Sequence, residues 1–246
     1  YPGVLAGILA TVVMRALWPA RGMPWLRRVG WLGWEPGATL YAACALLLLA
    51  LLPFPRSYWA YPIDLVGALA LLEVPHWLQL VRLLRADDDA ARLGAAEETG
   101  ALLNVYPLLA LAVVALGQAS GSLLLKEVKG GQQPLRWAGL ATWAIAMPPL
   151  IGLGPWHVER AGDWLQDLRR VAHIALLLAL ALPAGDQWGH GATAIGAALA
   201  FGSLTALHHL WRGEPARWER LQPLVALALL AFLLYTSSTA WVARLR

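Results

Sequence analysis

Two groups of acidic residues sit at or inside apolar stretches of this sequence. The first is Glu73, in the run Glu73-Val74-Pro75-His76-Trp77. The second is Glu97-Glu98, which follows Asp87-Asp88-Asp89 and Arg92 and runs directly into a long apolar segment. A carboxylate in such a setting is costly unless it has a partner, water or a task. Glu73 and His76 are three residues apart and share one face of a helix. Pro75 between them opens the helical hydrogen-bond ladder and frees a carbonyl nearby. A buried Glu–His pair can hold and pass a proton. The plainer reading is a polar pair that joins two helices. For Glu98 the plainer reading is a helix N-terminal carboxylate that complements the dipole and stays solvated.

The remaining polar groups give weaker signals. Haem b between helices needs two imidazoles at matched depth. His173 near the start of one apolar run and His208-His209 near the end of another allow such a pair, but the doubled pattern of a multi-haem cytochrome is absent. The sequence has no His-x-x-x-His or Cys-x-x-Cys spacing and no glycine-rich phosphate loop, so no metal site is expected on this chain. The Ser and Thr residues have no neighbouring base in sequence. Asp87-Asp88-Asp89, flanked by Arg85 and Arg92, reads as a solvated loop tip.

The elements that must position these groups are membrane helices. Hydrophobic residues are 59% of the chain and charged residues 14%, against about 25% charged in a soluble domain. The apolar runs are continuous rather than alternating, which argues for helices and against a β-barrel. The expected fold is all-α, a single domain over residues 1–246 with about eight transmembrane helices. The spans fall near 2–18, 38–53, 63–84, 98–118, 137–153, 171–182, 192–211 and 221–240. The sixth is short, and the amphipathic stretch before it can extend it. Pro148-Pro149 in the fifth is the one sign of a broken helix. The lone Cys44 leaves no internal disulfide.

Most of the 19 Lys and Arg residues lie in the first, third, fifth and seventh loops of this arrangement. By the positive-inside rule those loops face the cytoplasm, and both termini lie on the outer, periplasmic side of a cell inner membrane. That cytoplasmic side is charged in both signs, as a docking surface for a soluble partner would be. Its candidate docking residues are Arg85, Arg92, Glu159, Arg160, Asp163, Asp167, Arg169 and Arg170. Many of the 14 tryptophans cluster near span ends, as in an interfacial belt. The net charge of +4 is no signature of nucleic-acid binding, and no internal repeat supports an inverted-repeat transporter.

A family resemblance lies in the fourth span. Gly94-Ala95-Ala96-Glu97-Glu98-Thr99, followed by Tyr106-Pro107, resembles a segment in the membrane subunit shared by energy-converting hydrogenases, formate hydrogenlyases and respiratory complex I. Gly94, Ala95, Glu98 and Pro107 fall on family positions. Glu97 stands where the family has Arg, and Tyr106 where it has a second Glu. Ala119-Ser120-Gly121-Ser122-Leu123 to Glu127-Val128 is similar to a short family loop. Arg217-Trp218-Glu219-Arg220-Leu221-Gln222-Pro223-Leu224 resembles the basic loop before its final helix. The segment from Gly154 to Arg170 is shorter than its family counterpart and matches poorly.

The resemblance implies a subunit that is not catalytic by itself. It would anchor hydrophilic iron–sulfur and hydrogenase-like subunits beside antiporter-like membrane subunits, and couple electron transfer to proton or ion translocation. It implies iron–sulfur clusters in the partners, none on this chain, and a place where a quinone could bind. It marks Glu98 as the leading proton-relay residue, with Glu97, Glu73, His76 and Asp64 as companions. The departures at Glu97 and Tyr106 keep a structural or assembly subunit open as an alternative, beside an ion or small-molecule transporter and a haem b cytochrome.

Overall fold

The computed structural model describes residues 36–52, 63–128, 133–152, 164–181 and 215–244. Within them the chain is helical: α1 Pro36–Leu51, α2 Leu65–Leu84, α3 Asp89–Ser120, the single turn α4 Leu125–Val128, α5 Gln133–Leu150, α6 Trp164–Ala181 and α7 Pro215–Arg244. The expected spans at 2–18 and 192–211 lie outside the described residues, as do His208, His209, Glu159, Arg160 and Asp163.

Local chemistry sets the helix ends. Asp64 caps α2 by accepting a hydrogen bond from the Gly67 amide at 2.6 Å. Asp88 does the same for α3 through Ala90 N at 3.0 Å. That cap starts α3 nine residues before the expected position 98, because 89–97 is rich in Ala, Leu, Arg and Glu, all strong helix formers. The acidic run is thus a helix start, and Arg92 pairs with Asp89 across one turn. At its far end α3 stops at Gly121, whose φ of +70° closes the helix in the left-handed region. The chain then pairs back on the entry to α2. Leu65 N donates to Leu123 O at 2.8 Å and Leu125 N to Ile63 O at 3.1 Å.

Alpha-three is the central element, packed against α2, α5 and α7. Its buried positions, Ala95, Glu98, Leu102, Val105, Leu108, Leu109, Ala112, Ala115, Leu116 and Ala119, recur at helical spacing. Its broadest interface is with α5. There Gly139 lets the backbones approach so closely that a Cβ would stand 3.2 Å from Ala112 O and 3.0 Å from Leu116 Cγ. Small residues at the crossing are the usual device for close membrane-helix packing.

Two arginines tie α5 and α6 antiparallel. Arg136, in the first turn of α5, donates to Leu180 O at 2.8 Å at the end of α6. Arg170, near the start of α6, donates to Ile151 O at 2.8 Å just past the end of α5. Each satisfies carbonyls that a helix end leaves unpaired. Pro148 and Pro149 fall in the last turn of α5, so they finish the helix rather than break it midway.

Alpha-three is long and apolar enough by length and composition to cross a membrane; shorter apolar helical stretches cover Thr39–Leu51 and Gln222–Thr236. Large apolar side chains stand outward on α2 (Val66, Val74, Leu78), α3 (Leu103, Val114) and α7 (Leu224, Leu227, Leu234). Exposed apolar surface of this extent suits lipid or a partner rather than water. Trp137 is exposed, whereas Trp143 is fully buried in the core rather than at an interface.

Candidate functional site

The buried polar groups converge where α2, α3 and α6 meet. Glu73 and His76 come from α2, Glu98 and Tyr106 from α3, and Gln166, Arg169 and His173 from α6. Relative exposures are 8% for Glu73, 7% for Glu98, 2% for Arg169, 1% for His76 and 0% for His173. Helical spacing explains why they meet. Gln166, Arg169, Arg170 and His173 stand at i, i+3, i+4 and i+7 on α6, which is one face. Glu98 and Tyr106 are two turns apart on α3, roughly 12 Å along the axis at 1.5 Å per residue.

Glu73 is gripped from two neighbouring helices. Arg169 Nη2 donates to Glu73 Oε1 at 2.9 Å and to Oε2 at 2.8 Å. His173 Nε2 lies 2.8 Å from Glu73 Oε1, at ion-pair distance but off the ideal hydrogen-bond line. Tyr106 donates its hydroxyl proton to Glu73 Oε2, and Trp77 Nε1 donates to Tyr106 Oη at 2.6 Å. The Trp77 and Tyr106 rings lie 5.9 Å apart. A buried carboxylate persists when a cation and further donors compensate its lost hydration, and Glu73 has both.

Glu98 has a different environment. His76 Nε2 lies 2.9 Å from Glu98 Oε1. Gln166 Nε2 reaches the same oxygen at 3.5 Å, the long end of the hydrogen-bond range. Gln166 Oε1 in turn accepts from Arg170 Nη2 at 3.3 Å, and Arg170 Nη1 donates to Asp167 Oδ1 at 2.9 Å. A polar chain therefore runs from the turn after α5 through Arg170 and Gln166 to Glu98 and His76. Tyr41 of α1 packs edge-on against His76 with ring centroids 6.1 Å apart.

Three of the five sequence-selected acid and imidazole residues meet here: Glu73, His76 and Glu98. Glu73 and His76 share a helix face as expected, yet each takes its close partner from another helix. Glu97 is exposed, one position off the buried stripe of α3. Asp64 is exposed and spends its side chain on the α2 cap. Arg85 ends α2 on the surface, and Arg92 is exposed. Arg169 and Arg170, expected on a docking loop, are instead buried within α6; their guanidinium groups face Glu73, Gln166 and the end of α5. Asp167 is half-buried beside Arg170. His173 Nε2 lies against Glu73 Oε1, and Nδ1 lies 3.0 Å from Arg169 O.

Sequence reasoning left Arg169, His173, Gln166 and Tyr106 out of the buried site. Their signal was present in the 166/169/170/173 period, which reads equally well as the polar face of an interfacial helix. Only the packing of α6 against α1, α2 and α5 decides which way that face turns.

No protein-family model matches the sequence, and a comparison with curated proteins gives no match. The fold has a solved counterpart. It is similar to a chain in the structure of the membrane-bound sulfane sulfur reductase (MBS), an archaeal respiratory membrane complex. The TM-score is 0.68 over 93% of each chain, at 14% sequence identity. At that identity the likeness is one of fold.

Proposed function

We propose that this chain is a membrane-embedded, multi-pass subunit of a complex I-like or energy-converting hydrogenase-like oxidoreductase. It anchors a hydrophilic electron-transfer arm and couples that arm to proton translocation. The observation that carries this reading is the cluster itself: two buried carboxylates, each beside an imidazole, among helices whose outer faces are apolar. The likeness of fold to a chain of a respiratory membrane complex, over nearly the full length of both, supports it.

The physical logic is electrostatic. A charge that arrives near a buried acid–imidazole pair interacts with it far more strongly than in water, so the pair gains or loses a proton in response. About eight spans with both termini periplasmic, in a cell inner membrane, complete the arrangement. Iron–sulfur clusters belong to the partner subunits, and further membrane subunits carry the ion path onward.

The test is what accompanies the chain out of native membranes. A tagged copy extracted in mild detergent is expected to bring iron-containing hydrophilic subunits and antiporter-like membrane subunits in fixed proportion. A stable particle of this polypeptide alone, free of iron, contradicts the reading. A structural or assembly role is the second reading, favoured by the tight neutralisation of Glu73. Under it, Glu98→Gln leaves coupled proton movement unchanged.

A further inference from the structure

The donors and acceptors of the cluster fix where its protons sit. Arg169 is always charged. His173 faces two acceptors, Glu73 Oε1 at 2.8 Å, off the ideal hydrogen-bond line, and the Arg169 carbonyl at 3.0 Å, and a ring with a proton on each nitrogen serves both. With both glutamates ionised, the two cations cancel the two anions. His76 then stays neutral. Its Nε2 lies 2.9 Å from Glu98 Oε1, off the ideal hydrogen-bond line, and is the ring nitrogen placed to share a proton with that acid. That assignment leaves a lone pair on Nδ1. This nitrogen is fully buried and has no hydrogen-bond partner among the described residues. A buried acceptor without a donor is costly in any membrane-embedded helix bundle.

We propose that His76 Nδ1 is the loading point for the single exchangeable proton of this cluster, with Glu73, Arg169 and His173 as fixed counter-charges. This rests on the proton-coupling reading above and assigns its carrier. A proton binds Nδ1 and makes the ring an imidazolium. The ring then gives its Nε2 proton to Glu98 Oε1 and returns to neutral with the hydrogen on Nδ1. Glu98, now a carboxylic acid, releases that proton onward. One proton has crossed from one side of the ring to the other, and the ring hydrogen must return from Nδ1 to Nε2 before the next proton loads. The groups that set the energy of this step are Tyr41 from α1, Glu73 on the same helix, Glu98 from α3, and Gln166, Arg169 and His173 from α6. Arg169 is a positioning residue. By holding Glu73 as a carboxylate it keeps that acid from competing for the moving proton.

The experiment is ¹⁵N nuclear magnetic resonance of the assembled complex in lipid, with histidine labelled in this chain. Imidazole nitrogen shifts report which ring nitrogen carries hydrogen. The chain has 6 histidines, and His76→Gln and His173→Gln assign two of the signals. His76 is expected as the Nε2–H tautomer at high pH and as a doubly protonated ring on acidification. A His76 signal that never changes, or a resting Nδ1–H tautomer, overturns the proposal. Proton movement is read on the same preparation. A titrating His76 in a complex that moves no protons sinks the coupling reading and leaves this assignment standing. Proton movement with an invariant His76 sinks the assignment alone. His76→Gln keeps a donor toward Glu98 and removes the Nδ1 lone pair, so an assembled variant is expected to lose at least about tenfold in proton transfer, the effect of roughly 1.4 kcal/mol. Should that variant fail to assemble, Arg169→Lys tests the same claim: His76 still titrates and Glu73 gains no proton, and a protonated Glu73 in its infrared spectrum contradicts it.

Discussion

Glu73 and Glu98 are both buried acids, and each lies against an imidazole, yet the fold treats them differently. Glu73 receives a guanidinium, an imidazole and a phenol hydroxyl, all aimed at its two oxygens. Its closest cation cannot lose its charge. Glu98 is held by His76 and reached by Gln166 at long range. Its close partner is a group of a kind that titrates near neutral pH in water. The contrast teaches that burial alone does not make an acid a proton carrier. What matters is whether the partner can change its own charge.

The comparison can be broken in stages. The largest expected effect is Arg169→Met. It leaves Glu73 buried without its cation and is expected to destabilise by about 3–5 kcal/mol, seen as a large drop in the thermal unfolding midpoint of the purified protein. A small drop means that Glu73 is not held as described. Tyr106→Phe comes next. It removes a hydrogen bond to a charged acceptor and strips Trp77 Nε1 of its acceptor, for a loss of about 1.5–3 kcal/mol, read from the same unfolding curve. Glu98→Gln keeps shape and burial, so a stability change of only about 1 kcal/mol is expected, with assembly preserved on native gels and coupled proton uptake abolished. Gln166→Leu has the smallest effect, under about 1 kcal/mol. It is expected to slow proton uptake without altering subunit composition; an unaltered rate removes Gln166 from the chain of contacts.

Some of this was readable from residues alone. Glu98 announces itself because an acid at the mouth of an apolar run has few harmless explanations. Asp64 and Asp88 are typical capping residues, although each also reads as a loop acid until the helix after it is placed. The early start of α3 was hidden by the polarity of 89–97, which suggests a loop while its Ala, Leu and Arg content favours helix. Arg169 and His173 were not legible as partners of Glu73. They lie 96 and 100 positions away in sequence, and local periodicity says nothing about which helix a polar face meets. Tyr106 was visible only as a departure from a resembling family. In the structure it is the hydroxyl that completes the shell around Glu73.

The most direct measurement pairs two substitutions of equal size, Glu73→Gln and Glu98→Gln, expressed from the native locus and assayed for complex assembly and proton uptake. The account predicts that Glu73→Gln fails in assembly, because it strands the Arg169 charge, while Glu98→Gln assembles fully and moves no protons. The reverse outcome, a Glu73 variant that assembles but is uncoupled and a Glu98 variant that pumps normally, contradicts it.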